Sequence, residues 1–140
     1  MTATTSETLS DLGVFRHQAG MIEEVVRRNT GGLTHADSLA QPRPAGNCLN
    51  WVVGHLLAIY NSTLPLLGQD PVMEQSAIAR YDRGAPPLQD PDEALAFEEL
   101  LAAWDEAVAR IDAGLATLPT EALDRPAPFS PGGDPVETVR

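Results

Sequence analysis

Between Phe97 and Leu118 the chain places an apolar side chain at alternating steps of four and three without a break: Phe97, Leu101, Trp104, Val108, Ile111, Leu115 and Leu118. A helix brings such a series onto one face, and a face of that kind is the seam of a helical bundle. Just upstream, Asp90, Pro91 and Glu93 supply an acidic N-cap, a proline at the first helical position and a glutamate at the third; Pro119 ends the run. Each seam side chain contributes roughly 1.5–3 kcal/mol once buried, so this helix anchors the fold. Glu98, Glu99, Asp105, Glu106 and Asp112 lie off the seam and read as a solvated acidic face.

The same periodicity predicts a first helix from about Ser6 to Arg28, with Thr4 and Glu7 at capping-box spacing and Gly31-Gly32 at its end. Leu12, Phe15, Ala19, Ile22 and Val26 form its stripe. A loop rich in Gly, Pro and Ser follows, and Asn47 is the expected N-cap of a second helix that reaches about Leu64. There Val52, His55, Leu56, Ile59 and Leu66 share one face, expected to be the inner one, while Val53, Leu57 and Leu64 make a second strip. A helix apolar on two sides is deeply buried or packs on a partner chain, and the expectation is a homodimer. The stretch from Leu67 to Gln89 has little periodicity and reads as a long surface connection, able to cross an end of a bundle so that its neighbours run in the same direction.

Asp134-Pro135-Val136-Glu137 repeats the acid–Pro–Glu start signal. A single turn is not stable alone, because helix nucleation is costly. The expectation is therefore an all-α four-helix bundle, residues 1–140 forming one domain that holds only the first turn of the fourth helix while the natural sequence continues. A three-helix bundle with a frayed tail is the alternative.

Charge narrows the function. Twenty acidic residues stand against nine basic ones, for a net charge of -11. A field of that sign repels phosphate backbones and anionic membrane surfaces, so neither nucleic acid nor membrane is an expected partner. All the basic residues are Arg, and without Lys there is no Schiff-base chemistry. Cys48 is the only cysteine, so no intrachain disulfide forms. The start is polar, without the apolar core of a signal peptide, and the Trp51–Leu67 run is interrupted by His55, Asn61 and Pro65; the expected location is the cytoplasm.

Of the three histidines, His17 falls opposite the first stripe and is expected to be exposed, and His35 sits in a loop without a partner at ligand spacing. His55 is expected to point into the bundle, where an imidazole takes either a protein hydrogen bond or a metal. Gly54 before it leaves room for close approach of another segment. Cys48 lies two turns from His55, about 10 Å along the axis, too far to share a metal or form a dyad, and reads as packing.

The stretch Asn47-Cys48-Leu49-Asn50-Trp51-Val52-Val53-Gly54-His55-Leu56-Leu57 resembles the second-helix signature of the DinB/YfiT-like superfamily, and the helix order around it is similar across the chain. The resemblance implies an up-down-down-up four-helix bundle, often dimeric. It also implies zinc or nickel held by three histidines: one at the position of His55, the other two an H-x-x-x-H pair on the fourth helix. Some members are transferases or isomerases acting with small-molecule thiols, and a three-imidazole metal leaves an open position that lowers the pKa of a thiol or water. This sequence contains no H-x-x-x-H. The expectation is thus a metal-dependent thiol transferase or related enzyme when full length and no bound metal in the 140 residues alone. The alternative is a non-catalytic interaction protein with His55 held by a protein hydrogen bond.

Overall fold

The computed structural model describes residues 10–127, and every regular element among them is helical. The α-helices are α1 (Asp11–Thr30), α2 (His35–Ser38), α3 (Leu49–Thr63) and α4 (Phe97–Thr117), with short 3-10 segments between α3 and α4 and another after α4. No helix among the described residues is long and apolar enough to cross a membrane. Thr4, Glu7 and the start signal at Asp134–Glu137 lie outside the described residues.

Helix α1 starts at Asp11, where the Ser10 hydroxyl caps it, accepting the Gly13 N–H at 3.1 Å; the expected start at Ser6 lies outside the described residues. Its stripe is only partly covered: Val26 is buried, Leu12, Phe15 and Ala19 are half-buried, and Ile22 is exposed. Helix α4 packs against α1 on one side and α3 on the other, while α1 and α3 share no comparable interface. One end of the core joins Ile111 and Leu115 to Leu64 and Leu67, with Leu12, Phe15 and Ala19 against them. The other joins Phe97, Leu100 and Ala107 to Val53, Leu57 and Ala58. The buried side of α4 therefore runs through Leu100 and Ala107, leaving Leu101 and Val108 half-buried, a small rotation from the predicted seam. Gly114 lets the Leu64–Leu67 turn close on α4, since a Cβ there would lie 2.6 Å from the Leu67 Cβ. Asp112 is not simply solvated: its carboxylate takes two bonds from Arg16, at 2.8 and 3.1 Å, and ties α4 to α1.

Three further expectations are corrected. The Asp90–Glu93 signal does not open α4; it makes a separate 3-10 turn, Pro91–Glu93, with the Asp90 carboxylate accepting the Asp92 N–H. The physical reason lies at Leu95, whose N–H goes to the Tyr81 hydroxyl and whose carbonyl accepts from Asn50. Backbone groups held by side chains leave the helical ladder, and α4 starts two residues later. The Leu67–Gln89 stretch is largely exposed, as a surface connection is, but it also sends side chains into the core. A 3-10 segment, Gln75–Tyr81, buries Ile78 and Tyr81 completely, and Leu88 is buried after it. Last, Cys48 rather than Asn47 occupies the N-cap of α3, without a side-chain capping bond.

Two asparagines of α3, Asn50 and Asn61, fasten that connection. Eleven residues apart, about three turns, they share a face. Asn61 is 1% exposed; its oxygen accepts the N–H groups of Val72 and Met73, and its amide donates to the Met73 carbonyl and Gln75 Oε1. A fully satisfied buried amide fixes one conformation of a segment that has little apolar periodicity of its own.

Candidate functional site

Helix α3 buries the strip through Val53, Leu57, Ala58 and Leu64, and not the face expected to be inner. Val52 and Ile59 remain 41% and 44% exposed, and His55 and Leu56, between them, are half-buried. His55 therefore lies at the edge of the packed region rather than at its centre. The cause is the connection: its 3-10 segment packs on α3 and takes up the side that includes Gly54.

Tyr81 organises the site. Its ring lies directly on Gly54, where a Cβ would come within 2.3 Å of Tyr81 Cδ1, so glycine is required by close approach of an aromatic ring. The Tyr81 carbonyl meets His55 Nδ1 at 2.7 Å. A carbonyl only accepts, so Nδ1 carries the proton and Nε2 is left as the lone-pair atom of the neutral ring. The hydroxyl of Tyr81 donates to Asn50 Oδ1 at 2.8 Å and accepts the Leu95 N–H at 2.8 Å. Burial pushes the Tyr81 phenol above its ordinary value of 10.0, and the phenol stays a neutral donor at physiological pH. One turn before His55, Trp51 stacks on the imidazole with centroids 4.8 Å apart and planes 18° from parallel. Ring plane and tautomer of His55 are thus both set by neighbours. Among the described residues, no hydrogen bond reaches Nε2.

The other candidate residues lie elsewhere. His17 is exposed on α1. His35 opens α2 instead of lying in a loop, and its Nδ1 accepts the Phe97 N–H at 3.1 Å. It thereby caps α4, whose own N-cap residue, Ala96, has no side chain to offer. Cys48 is 1% exposed and packs in the core, as the sequence led one to expect. A shallow cleft of about 260 Å³ between the end of α1 and α4, lined in part by Val26, Leu33, Leu101 and Trp104, does not include His55.

A three-imidazole metal centre needs three donors converging on one point. Among the described residues no group of three or more His, Cys, Asp or Glu side chains does so. His55 suits the role of one ligand, but these residues do not make up a complete donor set, and no chemical step through a metal follows from them.

Sequence reasoning found His55 and the Gly54 gap but missed Tyr81 and Asn50. The available signals were an aromatic residue three positions after Ile78 in an otherwise polar stretch, and an amide near the start of an apolar helix. Helices packed on α4, with one half-buried histidine oriented at the edge of α3, define the class: a helical bundle protein. The sequence profile of the DinB superfamily matches residues 21–140, and the chain belongs to that superfamily. No curated protein and no solved structure matches it.

Proposed function

We propose that this chain belongs to a metal-dependent DinB-type enzyme acting on a small-molecule thiol in the cytoplasm. In this reading the fold is an up-down-down-up four-helix bundle, His55 gives the α3 ligand to zinc or nickel, and the remaining ligands come from outside residues 10–127. The observation that carries it is the His55 Nδ1–H bond to the Tyr81 carbonyl, 2.7 Å long. Metal-binding imidazoles are commonly oriented in this way, by donating the second ring N–H to a carbonyl or carboxylate. The test is metal analysis by mass spectrometry of the full-length protein beside His55→Ala, with circular dichroism to confirm that the variant folds. Stoichiometric zinc or nickel, lost on substitution, is the expected result. Equal metal in both proteins, or none in either, overturns the reading.

A second reading is a non-catalytic interaction protein that keeps the fold without the metal. The same hydrogen bond favours it, since it supplies His55 with a protein partner, and the no-metal result would select it. Both readings include a homodimer, supported by the exposure of Val52 and Ile59 on α3.

A further inference from the structure

We infer that Tyr81 is the positioning residue of His55, and that its phenol, at the far side of the ring from its carbonyl, fixes which imidazole nitrogen is presented. This rests on the reading of His55 as the functional side chain, although the tautomer exists with or without a metal. Tyr81 is held at three points. Its hydroxyl is tied to Asn50 Oδ1 and to the Leu95 N–H, its ring fills the space above Gly54, and its carbonyl accepts the His55 Nδ1–H bond. Asn50 is held in turn, through Nδ2, by the Leu95 carbonyl at 3.0 Å, and residue and ring are both fully buried. A ring fixed at both ends cannot turn without breaking these bonds, of which the one to Asn50 is fully buried. The carbonyl therefore stays aligned on Nδ1. His35 shows the contrast: its Nδ1 accepts from Phe97, which places the proton on Nε2. Within one chain two histidines are set to opposite tautomers by opposite backbone partners, and only His55 has Tyr81 behind its partner.

The experiment is long-range proton–nitrogen NMR on metal-free protein carrying nitrogen-15 in its histidine rings, with the exposed His17 as internal reference. Wild-type His55 is expected to give a single pattern, proton on Nδ1 and bare Nε2, while His17 shows the averaged pattern of a free ring. Tyr81→Phe keeps the ring over Gly54 but removes both hydroxyl bonds, and the His55 pattern should then move toward that of His17. Should Tyr81→Phe fail to fold, Asn50→Ala removes the acceptor end of the clasp and must produce the same movement. A merely structural Tyr81 would lower stability and leave the pattern unchanged; that result overturns the inference, as does wild-type His55 with its proton on Nε2. Because no metal is present, failure of the tautomer and failure of metal binding are separate results.

Discussion

Gly54 and Asn61 show how much of this molecule rests on single positions. A methyl group on Gly54 must displace the buried Tyr81 ring, which is pinned by its own hydrogen bonds and has nowhere to shift. Gly54→Ala should therefore destabilise by about 1–3 kcal/mol, although alanine is the better helix former by roughly 1 kcal/mol. Urea denaturation checks this, and a neutral or stabilised variant would mean that the ring moves aside freely. Asn61→Ala strips partners from two backbone N–H groups and a carbonyl in the connection. At about 1–3 kcal/mol for each group left buried without a partner, the loss should exceed about 2 kcal/mol. The same denaturation experiment reads it, and a loss under about 1 kcal/mol would mean that water replaces the amide. These positions were only half legible: Gly54 stood out as a glycine inside a helix, whereas Asn61 read as a mere interruption of an apolar run. The difference is that a missing side chain is visible in the sequence and a partner eleven residues away is not.

Among the elements, α4 carries the greatest packing load. Trp104 is 1% exposed and lies against Tyr60, with centroids 4.6 Å apart and planes tilted by 32°. Trp104→Ala should cost about 3–5 kcal/mol in equilibrium unfolding, and a change under about 1 kcal/mol would contradict its place in the core. The contact between α1 and α4 is instead pH-sensitive. Arg16, by its hydrogen bonds first, holds the Asp112 carboxyl below its ordinary value of 3.8. A carboxyl depressed in the folded state contributes stability that is fully present above its ordinary value and lost as pH falls through the folded one. The pair is exposed, so its share is small. Asp37 behaves alike: the Thr34 backbone N–H, then the Thr34 hydroxyl, depress it within the capping box of α2. Denaturation midpoints measured from neutrality into acid should fall below about pH 4 in the wild type. In Asp112→Asn that fall should be shallower, and an identical acid limb in the two proteins would exclude the pair as a contributor.

For the whole molecule, the arrangement of α4 between α1 and α3 leaves apolar side chains uncovered among the described residues: Met21 and Val25 of α1 at 56% and 57% exposure, Val52 and Ile59 of α3 at 41% and 44%. Under the proposed homodimer, sedimentation equilibrium should return a mass near twice the 15.0 kDa of the chain. Val52→Glu with Ile59→Glu should shift it toward monomer without loss of helicity. A monomer mass for the wild type at micromolar concentration would exclude the dimer. By itself the sequence determined the helical class, the seam of α4 to within a small rotation, the stripe of α1 apart from the exposed Ile22, and the packing role of Cys48. All of these depend on the period of a helix or on composition, which are local quantities. Only the tertiary structure decided that the Leu67–Gln89 stretch lends Ile78, Tyr81 and Leu88 to the core, that Asp90 caps a turn and not α4, and that His55 sits at an edge with its proton on Nδ1. Those outcomes hang on Asn50, Asn61, Tyr81 and Leu95, polar groups whose partners lie 11 to 45 residues away. A hydrogen bond across such a separation leaves no period in the sequence, and so only the folded chain reveals it.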